Sequence, residues 1–397
     1  MHIMERNDQG KIEELLTRGV EEVIDRAHLE RRLKEGKPLR VKLGIDPTSP
    51  NLHLGRAIPL LKLRDFQQLG HTAVLIIGDF TGTIGDTSDK ESERPMLDEA
   101  TVTANLKSYI AQASKIIDTD AAEIHYNSTW LAKLDYAAIG RQADAFSLSD
   151  FVSRENIKKR LDAGKRVSLR ELLYPLMQGY DSVEVRADVE LGGTDQRFNL
   201  LAGRELQRLH HQEPQDIVMG PLIEGLDGRK MSSSYGNTVN LADAPNDMFG
   251  KVMSVRDDLV IKYFILLTRM PMEAVRAHEM ALVEGANPRD VKMRLAHEIV
   301  RMYHGEKEAD AAVDYFTRTF TEKEIPDAMP EFAPQEGARD VVSVLVDAAL
   351  VASKSEARRA IEQGGVKIDG NVVTDPKAEV PKGGVLQKGK VKFVRVV

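Results

Sequence analysis

A chain of 397 residues, 42% hydrophobic and 29% charged, has room for two or three ordinary domains with ample cores. It contains no cysteine, which excludes disulfides and thiolate metal sites; no HExxH or comparable ligand spacing occurs either, so no protein-bound metal is expected. The start, Met1 to Gly10, has no apolar signal core, and no apolar run nears the roughly 20 residues that span a bilayer, which points to a cytoplasmic protein without a membrane partner. The formal charge of −7 argues against indiscriminate nucleic-acid binding. Residues 341–397 nevertheless hold ten Lys/Arg against six Asp/Glu, a local net of +4 that leaves −11 for residues 1–340. A basic module on an acidic body suits RNA contact through selected patches.

In chain order, Arg40 to Ile45 reads as a strand ending in the turn-rich run Asp46–Asn51. A helix is predicted from about Leu54 to Leu69, with Pro59 tolerable near its first turn and Gly70 as its stop. Thr72 to Ile77 is a continuous apolar run, the mark of a buried parallel strand. Strand, helix and strand in this order imply a right-handed crossover and a doubly wound, Rossmann-like α/β sheet. Its ligands lie beyond the carboxyl ends of the strands, where Asp46–Asn51 and Gly78–Asp86 fall. The sheet is expected to continue through Val183–Leu191. After Lys230 the texture turns helical: Asn287 is a good N-cap, Pro288 fits the first helical position, and Val291, Leu295, Ile299 and Tyr303 share a face before Gly305. Pro326, Pro330 and Pro334 mark a linker over 325–338. Beyond it, a helix over Lys354–Glu362, a stop at Gly364-Gly365 and strands over Val366–Val373 about Asp369-Gly370 predict a small α+β unit.

Two segments 177 positions apart carry the chemistry. His53-Leu54-Gly55-Arg56 sits where a helix begins, so unpaired N–H groups and the positive dipole end attract anions. Gly55 permits close approach, and His53 and Thr48 can donate to phosphate oxygens. Taken alone, this pattern reads as a capping loop with a chance His. The second segment is Lys230-Met231-Ser232-Ser233-Ser234. Between them, Lys90 and Arg94 read by themselves as loop charge, Tyr174 and Gln178 as a helix face, and Gly192–Gln196 as a turn. No G-x-G-x-x-G opens the first helix and no G-x-x-x-x-G-K-[ST] occurs, which excludes the usual nicotinamide and P-loop sites.

Preceded by Gly44-Ile45-Asp46-Pro47-Thr48, the first segment resembles the HIGH signature of class I aminoacyl-tRNA synthetases, and the second resembles their KMSKS signature. The resemblance is specifically to bacterial tyrosyl-tRNA synthetases and covers nearly the whole chain. Gly78-Asp79-Phe80-Thr81-Gly82 through Gly85-Asp86, Tyr174 with Gln178, Tyr180-Asp181, and Leu191-Gly192-Gly193-Thr194-Asp195-Gln196 match that family in order and spacing. Ser355-Glu356-Ala357-Arg358-Arg359 followed by Gly365–Gly370 resembles a small RNA-binding domain of a ribosomal small-subunit protein and of pseudouridine synthases.

The resemblance implies an ATP-dependent enzyme that joins L-tyrosine to tRNA(Tyr), with Mg²⁺ arriving on ATP, in a homodimer. It implies a catalytic domain over 1–225, a helical anticodon-binding domain over 226–324, the linker 325–338 and an RNA-binding domain over 339–397. Joining a carboxylate to the α-phosphate of ATP needs no side-chain nucleophile, so catalysis is alignment plus cationic stabilisation of the departing phosphates. Lys90, Arg94 and Lys230 match family positions for that role, with Thr48 and His53 as donors and Arg56 beside the nucleotide. Gly44, Asp46, Gly55, Gly193, Asp195, Met231 and Ser232 are implied around ATP and the adenylate. Asp86, Tyr174 and Gln178 match ammonium-binding positions, Asp181 the acceptor for the phenol, and Gln196 the reacting carboxyl region. Lys354, Arg358, Arg359 and Lys367 are expected to contact tRNA phosphates.

Three positions depart from the family pattern. Arg56 replaces a His, and its planar fork could stack on a base or reach phosphate. Ser233 replaces the second mobile Lys. Lys42 stands where some members have a tyrosine touching the phenol, which leaves Asp181 as the main determinant. A tryptophan-specific relative is disfavoured by the C-terminal module, Gly192–Gln196 and Asp181. A non-catalytic RNA-binding protein on a decayed scaffold has only Arg56 and Ser233 in its favour.

Overall fold

Residues 6–88, 96–321, 329–334, 339–389 and 392–397 are described in the computed structural model, and the chain divides after Glu306 into two units. In the first, β1 (Glu22–Ile24), β2 (Arg40–Ile45), β3 (Thr72–Ile77), β4 (Glu123–Tyr126), β5 (Val189–Gly193) and β6 (Asp216–Gly220) form one sheet in the order β1-β6-β5-β2-β3-β4. Every pairing is parallel except that of β1 with β6. The chain runs outward from β2 through β3 and β4, then returns to the other side of β2 for β5 and β6. The crevice between β2 and β5 is therefore the switch point where a doubly wound sheet binds its ligands.

Both central strands and the helix between them form as their sequence predicts. Val41, Val74 and Leu75 are fully buried, and α1 (Leu54–Gln68) lays Leu54, Ala57, Leu60, Leu61, Leu63 and Phe66 into the core. Next to shape the site is α2 (Leu169–Glu184). A capping box starts it: Ser168 Oγ accepts from the Arg170 N–H, and the Glu171 carboxylate accepts from the Ser168 N–H at 3.1 Å. Glu171 also receives both ends of the buried Arg160 fork. On its far side α2 packs closely on α3 (Arg197–Leu209). A Cβ at Gly179 would stand 3.1 Å from the Ala202 backbone, so only glycine lets the helices approach so far.

The strand expected over Val183–Leu191 is a correction. The helix runs on to Glu184, Arg186 turns the chain with φ +49°, and β5 begins only at Val189. Val185 and Ala187 are apolar because they pack from this turn onto Val74, Ile76 and Trp130, so alternation there reports a covered sheet face and not a strand.

After the Lys230 segment come α4 (Val260–Leu267) and α5 (Pro288–His304), the latter capped by Asn287 as predicted, with Val291, Leu295 and Ile299 buried. The buried Arg18 guanidinium donates to the carbonyls of Phe264, Ile265, Thr268 and Met270, closing the end of α4. Arg269 grips Asp65 of α1 at 2.6 and 2.9 Å. The second motif's downstream helices are thereby tied to the helix that carries the first.

The second unit sets β7 (Glu331–Phe332), α6 (Val341–Asp347), α7 (Lys354–Glu362), β8 (Val366–Ile368), β9 (Asn371–Val372), β10 (Val385–Lys388) and β11 (Lys392–Val396) around a core that includes Val344, Leu345, Ile361 and Leu386. Its sheet order is β7-β11-β10-β8-β9. Asp369 (φ +48°) and Gly370 (φ +82°) make the two-residue turn predicted between β8 and β9. Within the segment expected as a linker, Glu331–Phe332 pairs in parallel with β11, while residues 322–328 and 335–338 lie outside the described residues.

Replacing Glu171 with Ala removes the capping box and leaves a buried guanidinium without its carboxylate. Denaturant unfolding of Glu171→Ala is expected to register a loss of about 3–5 kcal/mol, and Glu171→Gln a smaller one. Equal stability of Glu171→Ala and the parent would contradict this role.

Candidate active site

A cavity of about 320 Å³ opens at the carboxyl ends of β2, β3, β5 and β6. Gly44, Asp46, Thr48, His53, Gly55, Arg56, Asp86, Tyr174, Gln178, Asp181, Gly193, Asp195, Gln196, Lys230, Met231 and Ser232 all line it. Of the remaining expected residues, Lys90 and Arg94 lie outside the described residues. Lys354, Arg358 and Arg359 are exposed on α7 of the second unit, and Lys367 is half-buried on β8.

The two signature segments touch. The Gly55 N–H donates to Met231 Sδ at 3.3 Å, and Leu54 N–H to the Val239 carbonyl at 2.8 Å, so the Lys230 loop rests on the start of α1. The Ser232 N–H donates to Asn237 Oδ1 at 2.9 Å, fixing the loop's own fold. Lys230 Nζ reaches Asp195 Oδ2 at 3.0 Å, which brings its ammonium to the end of β5. A Cβ at Gly193 would fall 2.5 Å from Asp195 Oδ1, so a side chain there would displace the carboxylate that Lys230 holds.

His53 is the N-cap of α1 and is buried, with its Nδ1 unpartnered. Burial first, then the charges of Arg56 and Lys230, lower its pKa to about 3. The ring is therefore neutral at pH 7, one nitrogen carrying hydrogen and the other not, and can serve a phosphate as donor without adding charge. Arg56, the departure from the family pattern, is committed to the neighbouring loop. Its fork donates to the Asp46 carbonyl at 2.8 Å, Thr48 Oγ1 at 2.8 Å and Tyr109 Oη at 3.0 Å. Because Thr48 Oγ1 accepts there, its hydroxyl hydrogen stays available to a ligand.

Asp46 anchors the middle of the cavity. Its carboxylate accepts from Thr81 Oγ1 at 2.8 Å and from Tyr174 Oη at 2.9 Å. Burial raises its pKa to about 6, against the lowering effect of those two hydrogen bonds. Tyr174 is pushed well above its ordinary value by burial and by Asp46, and so remains a donor. Asp86 accepts from Ser88 N–H at 2.9 Å, Ser88 Oγ at 2.6 Å and Gln196 Nε2 at 2.8 Å.

At the far end Asp181 is buried and accepts from Trp130 Nε1 at 2.8 Å and Asn127 Nδ2 at 3.2 Å. Burial raises its pKa to about 7, with Lys42, Trp130 and Asn127 pulling it down. Two donors leave carboxylate lone pairs for a third, such as a phenol. Lys42 does not line the cavity; its ammonium turns to Glu190. Sequence reasoning missed Asn127, Trp130, Ser88 and Asn199. Trp130 carried one signal, being the chain's only tryptophan.

Outside the cavity, Asp25, His28 and Asp216 bring two carboxylates and an imidazole together. The His28 ring is already shared by Asp216 at 2.9 Å and Glu213 at 3.2 Å, with Arg32 3.6 Å from Asp216. These contacts make a hydrogen-bonded cluster around His28 and Asp216.

The family model for tRNA synthetases class I (W and Y) matches residues 34–321, and that of the S4 domain matches residues 342–386. The chain is 46% identical over 390 residues to the tyrosine–tRNA ligase of Moorella thermoacetica, covering 96% of this chain and 94% of that protein. It is 47% identical over 386 residues to that of Thermotoga maritima, covering 96% of each. Among solved structures, a C-terminally truncated mitochondrial tyrosyl-tRNA synthetase of Aspergillus nidulans superposes with a TM-score of 0.66 at 22% identity, over 78% of this chain and 94% of that one. The tyrosyl-tRNA synthetase of Archaeoglobus fulgidus complexed with L-tyrosine does so at 0.62 and 21%, over 77% and 100%. These two likenesses speak for the fold alone. Given a family match over most of its length and near-full-length relatives at almost half identity, the chain belongs to the class I tRNA synthetase (W and Y) family and ends in an S4 domain.

Proposed function

We propose that this chain is a tyrosine–tRNA ligase, which activates L-tyrosine with ATP and transfers it to the 3′ end of tRNA(Tyr). The observation that carries the reading is one cavity holding a buried carboxylate, Asp181, together with Lys230 and the neutral His53. The phenol donates to Asp181. A substrate lacking that hydroxyl leaves a buried carboxylate short of a partner, the kind of mismatch that rejects an analogue by roughly 10⁴–10⁵. Asp86, Gln178 and Tyr174 receive the ammonium group, and Gln196 lies beside the reacting carboxylate.

One carboxylate oxygen of tyrosine attacks the α-phosphorus of ATP, the bond to the bridging oxygen of the β-phosphate breaks, and pyrophosphate leaves with its electron pair. Thr48, His53 and Lys230 steady the departing charge, with Lys90 and Arg94 as further cations. Mg²⁺ enters on ATP and shares its phosphate charge. Asp195 takes the ribose of the adenylate, an exchange in which Lys230 gives up its present carboxylate. A terminal ribose hydroxyl of tRNA then attacks the tyrosyl carbonyl and AMP leaves. Arg56 holds Asp46 and Thr48 in register for both steps.

The segment 226–324, after its Lys230 loop, is assigned to the anticodon side, and 339–397 to tRNA phosphates through Lys354, Arg358, Arg359 and Lys367. Tyr136, Leu148, Leu161 and Leu169 expose apolar side chains within one stretch of the first unit, which supports a homodimer formed there.

Amino-acid-dependent ATP–pyrophosphate exchange on the purified chain tests the reading. Exchange with tyrosine alone is expected; exchange driven by tryptophan, or none, contradicts it. Truncation after Gly337 is expected to weaken tRNA charging while sparing tyrosine activation. Loss of both steps to the same degree would overturn the domain roles.

A further inference from the structure

A buried ion pair lies behind the cavity, in contact with the helix that lines it. Lys42 on β2 and Glu190 on β5 are register neighbours, with side chains 0% and 1% exposed and Nζ 2.8 Å from Oε1. Neither lines the cavity. The three ammonium hydrogens of Lys42 are all taken, by Glu190, by Ser182 Oγ at 2.7 Å and by the Gln178 carbonyl at 2.8 Å. Glu190 is equally saturated: Oε1 also accepts from Gln178 Nε2 at 3.2 Å, and Oε2 accepts from Ser182 Oγ at 3.1 Å and from Gln215 Nε2. Such a pair is seldom a net source of stability compared with apolar residues of the same volume, so its consequence is to be sought in what it orients.

What it orients is an amide. A carboxylate only accepts, so Glu190 draws the Nε2 end of Gln178 towards itself. The other end, Gln178 Oε1, accepts from Asn199 Nδ2 at 3.1 Å. Asn199 Nδ2 also donates to Gln196 Oε1 at 3.1 Å, and Gln196 Nε2 donates to Asp86 Oδ2 at 2.8 Å. Two carboxylates, Glu190 and Asp86, thus stand at the ends of a relay of three amides and set its polarity. Both glutamines keep their carbonyl oxygens turned from the carboxylates, each with one lone pair used by Asn199. A substrate ammonium brings three donors and no acceptor, so it needs those oxygens and would be repelled by N–H groups in their place.

We propose that the Lys42–Glu190 pair is a positioning element for recognition of the substrate's ammonium group. It fixes Gln178 in the one amide orientation that offers an acceptor. Lys42 also cancels the charge of Glu190, which leaves Asp86 as the carboxylate matched to the ammonium. The inference rests on the tyrosine-binding reading and assigns a task to the position where some family members carry a phenol-contacting tyrosine.

The test is calorimetric binding of L-tyrosine and of 3-(4-hydroxyphenyl)propionate, the same molecule without its ammonium, to the full chain. In Glu190→Gln the new side chain can offer either edge to Gln178, so the amide loses its fixed direction. Tyrosine affinity is expected to fall on the order of tenfold, with the deamino compound changed by less than about twofold. Because Glu190→Gln leaves Lys42 buried without a counter-charge, Lys42→Met/Glu190→Gln is measured beside it; the pair of changes strands no charge and is expected to give the same selective loss. An unchanged ratio of the two affinities in either folded variant, or an equal weakening of both ligands, overturns the proposal. A parent protein that binds neither compound overturns the functional reading and this inference with it.

Discussion

Asp181 sets the terms for the rest of the site. A carboxylate buried on the inner face of a helix has to find donors, and it finds them on one short segment, the helix Ser128–Leu131 and its N-cap, in the Trp130 indole and the Asn127 amide. Each donor is itself pinned. Trp130 packs on Val74, Ile76, Val185 and Ala187, and Asn127 also donates to Thr81, whose hydroxyl donates to Asp46. Gly78 has to be glycine beneath this chain, since a Cβ there would sit 2.0 Å from Asp46 Oδ1. The need to satisfy one buried acid therefore fixes the ends of β2, β3 and β4 against α2.

The nucleotide end follows a different logic. Nothing there is as deeply committed, and the parts meet by docking: Met231 on the first turn of α1, Lys230 on Asp195, Arg56 across Asp46 and Thr48. Such contacts can be exchanged for those of a ligand, which suits a centre where charge must be met as it develops. In the proposed function the rigid end selects and the docked end reacts. α2 joins the two, because Tyr174 reaches Asp46 from the same helix that carries Asp181.

Local pattern sufficed where structure is local. The strands Arg40–Ile45 and Thr72–Ile77, the cap at Asn287, and the turn at Asp369-Gly370 follow from spacing and turn chemistry over a few residues. The motif residues of the cavity were legible through their resemblance to a family, which supplied the order that spacing alone lacks. Val183–Leu191 failed because a buried helix end and a covered turn produce the same apolar alternation as a strand. Asn127, Trp130, Asn199 and the Lys42–Glu190 pair were invisible for another reason. Their partners come from separate elements, and no short-range pattern marks a side chain whose task is to orient another.

The central claim is that ionised Asp181 selects the phenol. Its pKa is raised to about 7, so it is mostly protonated below that pH and mostly a carboxylate above it. A neutral acid loses little when the phenol is missing, whereas an ionised one is left short of a donor. The direct measurement is the ratio of kcat/KM for tyrosine over phenylalanine in ATP–pyrophosphate exchange, taken from about pH 6 to about pH 8.5; effects of Asp46 common to both substrates cancel in it. The ratio is expected to rise on the order of tenfold through neutrality and to become small and pH-independent in Asp181→Asn. A ratio that stays flat in the parent, or survives intact in Asp181→Asn, would contradict the claim.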